Sequence, residues 1–284
     1  MIKKFMSLVM FSHTIFAMPF ALMGYVYALV SCSLPFDWVL LVQVVLCMIF
    51  ARNTAMGFNR WADRDIDAQN ERTANRDIPA QRISPRAALF FVVCNALLFV
   101  VTACTINSLT AILSPVALFV VMVYSYCKRF TSLAHMVLGL GLAIAPAGAY
   151  IAVTGTLTWV PCILSAVVLT WCSGFDIIYA LQDAAFDREA GLHSIPARFS
   201  ARGALVISAL LHVASALLLV LFASQLVRSP WIYVGVALFI FIIALEHLLV
   251  TPTRQRNIGI AFGTLNGLAS LTLAACVIVG LLCR

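Results

Sequence analysis

The sequence predicts an all-α integral membrane protein, on three observations. Of its 284 residues, 63% are apolar and only 10% charged. The mean hydropathy is +1.03. Apolar runs longer than the ~18 residues of a bilayer-crossing helix recur along the chain. Backbone groups in lipid need partners within the chain, so the choice is helices or a closed barrel, and runs this long select helices. Residues 1–284 are expected to form one membrane-embedded domain.

Nine transmembrane helices are expected. The first, 10–31, follows Lys3 and Lys4 and runs through Tyr25–Val30 without an A-x-A site, so it reads as an uncleaved span. The second, 37–58, carries Arg52 and runs into a polar stretch rich in acids and arginines. Pro79 and Pro85 punctuate that stretch before the third, 88–106. Only Asn107 and Ser108 separate the third from the fourth, 109–127, which ends at Lys128-Arg129. The fifth and sixth, 133–154 and 158–181, are joined by a short turn, and the sixth carries Asp176. A second basic loop, 182–202, precedes the seventh, 203–226. The eighth, 230–249, holds Glu246 and His247 near its end, and 258–282 forms the ninth.

Basic residues orient the bundle. With the N-terminus inside, the cytoplasmic connections and the N-terminal segment hold fifteen of the eighteen Lys and Arg. The protein is expected in the cell's inner (cytoplasmic) membrane, with its active site facing the cytoplasm. Its net charge of +7 reflects topology and anion binding, and nucleic acid is not an expected partner because no separate basic domain exists. None of the nine cysteines forms a C-x-x-C pair, and most lie within spans, which assigns them to packing.

The acids carry the chemistry. Eight of eleven lie in two stretches, Asn59–Asp77 and Asp183–Glu189, both on the cytoplasmic face. Asn59, Asp63 and Asp67 are spaced i, i+4, i+8, and Asp183 and Asp187 repeat the four-residue step. Residues four apart share a helix face, with Cβ atoms ~5–6 Å apart. A solvated helix end also carries acids, but it has no reason to repeat this spacing at a second helix end. Hard oxygen donors in two facing groups suit Mg²⁺ with a phosphorylated substrate. Without cations, clustered carboxylates raise one another's pKa. Arg64, Lys128, Arg129 and Arg188 are the candidate diphosphate contacts, the arginines as bidentate forks and Lys128 as a point charge.

Ionisable groups within a span are functional candidates. Arg52 lies seven residues before Asn59 and Asp176 seven before Asp183, so each acidic helix has a charge two turns deeper. Arg52, Asp176 and Tyr179 are expected to line the pocket of an organic acceptor, though Arg52 and Asp176 could instead pair with each other. His13 and the Glu246–His247 pair read as structural. The two polar loops after the acids are placed to fold over a ligand. The shared pattern of helix end, acids and basic loop allows an internal repeat.

Together, Asn59-x-x-x-Asp63-x-x-x-Asp67, Arg72-Thr73-Ala74-Asn75-Arg76 and Tyr179-Ala180-x-Gln182-Asp183-x-x-x-Asp187 resemble the UbiA superfamily of membrane prenyltransferases. Ser12-His13-Thr14, Pro19-Phe20-Ala21 and Tyr124 before Lys128-Arg129 fit the same family. The resemblance spans essentially the whole chain and implies a UbiA-type bundle. It implies Mg²⁺-dependent transfer of a polyprenyl chain from polyprenyl diphosphate to an aromatic acid such as 4-hydroxybenzoate, in quinone biosynthesis. It also implies that Asn59 and the four aspartates hold the Mg²⁺–diphosphate, and that Arg52 meets the acceptor. Asn59-Arg60 with Gly174-Phe175-Asp176 is similar to the branch linked to menaquinone made through futalosine, which makes a naphthoate-type acid the alternative acceptor. A secondary transporter is the alternative of another class, but it would place its ionic groups near the midplane.

Overall fold

The computed structural model of the protein describes Leu8 and residues 16–283. Nine apolar helices follow one another among these residues: α1 (Met18–Ser31), α2 (Trp38–Ala62), α3 (Pro85–Cys104), α4 (Ser108–Cys127), α5 (Ala134–Thr154), α6 (Trp159–Ala180), α7 (Ala201–Ser224), α8 (Pro230–Leu249) and α9 (Asn266–Leu282). Eight are long and apolar enough to cross a membrane, with α9 counted from Ile258. α1 is shorter, at 14 residues. The expected first span begins outside the described residues, where Lys3, Lys4 and His13 also lie. No β-strand occurs among the described residues.

Local chemistry sets the helix ends. Asp37 accepts from the amides of Val39 and Leu40 (2.8 and 3.1 Å) and caps α2. Ser84 caps α3 with Pro85 at its first position, so α3 starts three residues before the apolar run does. Asn107 caps α4 through the Thr110 amide (2.9 Å), and its own amide group reaches the Ile151 and Ala152 carbonyls at the end of α5. That one side chain explains how a three-residue connection, 105–107, holds. Gly155 closes α5 with a φ of 66°, a left-handed geometry that suits glycine.

Helices consecutive in sequence from α2 to α9 pack against each other, and α9 returns to α1, which also packs on α5. The largest apolar core lies in the second half, around Trp171, Phe175, Phe239 and Leu273, with Phe20 and Met23 of α1 inserted into it. α2, α3 and α4 contribute little to that core. Their outer faces display Phe90, Val101, Ile112 and Phe119, more than half exposed, as a lipid-facing surface does. Their inner faces wall a cavity.

α1 and α5 cross closely at Gly24. A Cβ on Gly24 would stand 2.3 Å from the Pro146 carbonyl oxygen, a backbone atom that cannot move aside. Gly24→Val is expected to destabilise the bundle by about 1–3 kcal/mol, the usual range for overpacking. The check is a lower unfolding temperature in detergent than for wild type.

Candidate active site

α2 ends at Ala62, and Asp63 (φ −95°, ψ 6°) leads into a short helix, Arg64–Gln69. A four-residue step keeps one face only if helical hydrogen bonding continues past the end of α2. The break leaves the register intact, because Asp63 N–H donates to the Asn59 carbonyl (2.9 Å) and Asp67 N–H to the Asp63 carbonyl (2.7 Å). Asn59, Asp63 and Asp67 therefore all line the cavity. The second motif is built alike. Leu181–Asp183 forms one 3₁₀ turn, Asp183 adopts φ −103° and ψ 1°, and a short helix Ala184–Glu189 follows. The leading acid of each motif thus sits at a helix junction in the same backbone conformation.

Arginines answer the acids. Arg72 grips Asp183 with both arms of its guanidinium, its Nε at 2.8 Å from Oδ1, and also donates to the Tyr179 hydroxyl (3.1 Å). Asn70 adds a bond to the same carboxylate (2.9 Å). Arg76 donates to Asp67 Oδ1 at 2.6 Å. Arg129 reaches Asp63 Oδ1 at 3.3 Å and the Ala62 carbonyl at 2.6 Å. Burial alone would raise the Asp183 carboxyl, but its bonds to Arg72 and Asn70 hold it below the usual carboxylate range. Burial pushes Asp63 and Asp187 up. Lys128 opposes that rise at both and also favours ionised Asp183, so its ammonium serves both motifs.

Two buried oxygens, Asp67 Oδ2 and Asp187 Oδ1, have no hydrogen-bond partner. Buried carboxylate oxygens left open are unusual, and both residues line the cavity. Hard anionic oxygens of this kind fit Mg²⁺. No group of three or more His, Cys, Asp or Glu converges tightly enough among the described residues to hold a metal alone. Mg²⁺ takes one or two carboxylates and completes its shell with water and phosphate.

The cavity measures about 370 Å³, within the range of small-molecule sites. Its polar end holds both acidic motifs, Arg72, Arg76 and Lys128. Its apolar arm runs between α2, α4 and α5, past Ala51, Met48 and Ala149 to Ala152 and Ile106 at the far end of the bundle. Arg52, Tyr124, Asp176 and Tyr179 stand between the two. The Nε of Arg52 is buried without a partner. Asp176 pairs with His135 and not with Arg52, at 2.7 Å from Nδ1. Phe262 lies against Tyr179, with ring centroids 4.2 Å apart. A π-helical turn, Ala261–Leu265, carries Phe262 there. Asn266 stabilises that turn, donating to the Ala261 carbonyl (3.0 Å) and to Glu246 (3.1 Å), while the Trp171 indole donates to Asn266 (2.8 Å). Glu246 is thereby fully buried in a structural network, and His247 pairs with His212 at 2.8 Å.

Of the residues singled out in the sequence, Asn59, Asp63, Asp67, Asp183, Asp187, Lys128, Arg52, Asp176 and Tyr179 come together around this cavity, and Arg129 touches it through Asp63. Arg64 and Arg188 do not. Arg64 folds back on the Trp61 carbonyl (2.8 Å), and Arg188 ties the Pro196 and Ala197 carbonyls (2.9 and 3.0 Å). Arg72 and Arg76 take the places expected of them, because a loop that must fold back over the acids brings its middle, not its start, above the cavity. His135 went unnoticed in the sequence. The available signal was a lone histidine opening an apolar span seven residues after Lys128.

The model of the UbiA prenyltransferase family matches residues 17–282. A relative named 4-hydroxybenzoate octaprenyltransferase from Aliivibrio fischeri (strain MJ11) is 33% identical over 204 residues, covering 70% of this chain and 69% of that one. Its namesake from Aeromonas salmonicida is 31% identical over 213 residues, covering 74% and 73%. Among solved structures, a UbiA homologue from Aeropyrum pernix K1 superposes with a TM-score of 0.80 at 29% identity, over 95% of this chain and 97% of that one. The UbiA homologue from Archaeoglobus fulgidus bound to GPP and Mg²⁺ shares the fold, with a TM-score of 0.70 at 21% identity over 94% and 99%. A family match this long, on a multi-pass bundle whose two acidic junctions open into one cavity, makes this protein a membrane prenyltransferase of the UbiA family.

Proposed function

We propose that the protein transfers a polyprenyl chain from its diphosphate to 4-hydroxybenzoate, with Mg²⁺ as cofactor, as a step of quinone biosynthesis. The observation that carries this reading is one cavity joining both acidic motifs to an apolar arm, with the open Nε of Arg52 between them. The relatives named above favour 4-hydroxybenzoate over a naphthoate-type acid. The basic cytoplasmic connections favour placing the acidic end at the cytoplasmic face of the inner membrane.

Each group then has a task. Asn59, Asp63, Asp67, Asp183 and Asp187 would hold Mg²⁺, which when bound neutralises the diphosphate and makes it a better leaving group. Lys128 adds fixed positive charge between the motifs, and Arg129 steadies Asp63. The apolar arm takes the isoprenoid tail. Arg52 binds the acceptor carboxylate, a charge-assisted contact in a site shielded from water. The allylic C–O bond breaks with its electron pair going to the diphosphate. The ring carbon beside the phenol supplies the pair for the new C–C bond, and the ring proton leaves with the diphosphate. Tyr179 and Phe262 both line the cavity, where aromatic surface would favour the developing cation.

The first test is prenylation of 4-hydroxybenzoate by membranes containing the protein, following diphosphate release and product together. Both are expected to require Mg²⁺ and to stop with EDTA. Diphosphate release without this product would move the acceptor to a naphthoate-type acid, and the absence of both from folded protein would overturn the reading. Asp63→Asn and Asp183→Asn should each lower turnover by about 10²-fold or more while the protein stays folded. Wild-type turnover in either variant would refute the metal assignment. Arg52→Ala should raise the KM for the aromatic acid about tenfold or more, with the KM for the diphosphate unchanged.

A further inference from the structure

His135 opens α5 and is 4% exposed. Its two ring nitrogens have different partners. The backbone N–H of Ile195 points at Nε2 from 3.3 Å, so Nε2 must offer a lone pair. The single proton of a neutral ring then sits on Nδ1, which faces Asp176 Oδ2 at 2.7 Å. The protein thus fixes one tautomer, and that tautomer donates to the Asp176 side chain. The Asp176 side chain is 20% exposed and lines the cavity, so its carboxylate stays open to a ligand. Arg52 lines the same chamber, and Tyr124 lies within electrostatic reach of both. An aromatic acid bearing a ring hydroxyl needs this pair: a cation for its carboxylate and an anionic acceptor for its hydroxyl.

We propose that His135 is a positioning residue for the acceptor, donating from Nδ1 so that Asp176 accepts the hydrogen bond of the ring hydroxyl. The inference rests on the function proposed above. A hydroxyl that donates to a carboxylate pushes electron density into the ring, most of all at the carbons beside it, where the new bond forms. No proton has to leave the hydroxyl for this, and His135 touches none of the reacting atoms. It acts through Asp176 alone. The competing role for the same side chain is a staple for the loop, since Ile195 begins the short helix Ile195–Arg198 and follows Ser194, which donates to Asp187.

Substitutions separate the two roles. His135→Leu is expected to lower kcat/KM for 4-hydroxybenzoate about tenfold to a hundredfold, with the KM for the polyprenyl diphosphate unchanged. His135→Asn carries an amide N–H near the place of Nδ1–H and should recover most of that loss. His135→Gln, whose amide lies nearer the place of Nε2, should not. The double variant His135→Leu/Asp176→Asn should be no worse than Asp176→Asn, because one residue acts through the other. Additive losses, or a loss that appears in the diphosphate KM, would overturn the proposal and leave the staple. If His135→Leu does not give folded protein in detergent, the Asn and Gln variants make the same comparison. An active wild type matched by His135→Leu sinks this inference alone. A wild type that prenylates no aromatic acid sinks the functional reading and this inference with it.

Discussion

Carboxylates brought to the edge of an apolar bundle have to find positive charge, and this requirement organises the cytoplasmic end of the molecule. Asp63, Asp67 and Asp187 are each less than a tenth exposed, a placement that costs several kcal/mol per unpaired charge. The basic loop after α2 supplies Arg72 and Arg76, and the end of α4 supplies Lys128 and Arg129. The loop therefore folds back over the helix ends because its arginines are needed there. Its course joins the first acidic motif to the second, since Arg72 leaves from one and lands on the other.

The fold was legible where lipid dictates it. Run length and the cost of bare backbone in hydrocarbon gave nine apolar helices, and the end of α4 at Cys127 and of α5 at Thr154 follow the apolar pattern closely. The misses are local and polar. Ser84 and Pro85 start α3 before the apolar residues do, and the π-turn at Ala261–Leu265 interrupts what reads as one continuous run. Nothing in the run 258–282 signals that turn except Asn266, whose role depends on Glu246 and Trp171, far away in sequence.

The acids of the site were readable because a four-residue step on a helix is a local geometric rule. Their partners were not, because which arginine meets which acid depends on how a loop closes. Arg64 and Arg188 are sequence neighbours of the acids, yet they bond to nearby carbonyls. Arg72 and His135 meet Asp183 and Asp176 across separations of 111 and 41 residues. Only tertiary structure could pair them.

The apolar arm of the cavity has its own geometry along α5. Past Leu142 and Ile144, only Ala145, Gly148, Ala149 and Ala152 of that helix line it, so one face is free of side-chain bulk for about two turns. A smooth helix face is graduated, at about 5.4 Å per turn. If the isoprenoid tail lies in this arm, as proposed above, α5 would serve as its ruler. The first of these positions to acquire a bulky side chain would set the stop against which the far end of a tail comes to rest, and a relative could change its preferred donor by moving that stop one turn.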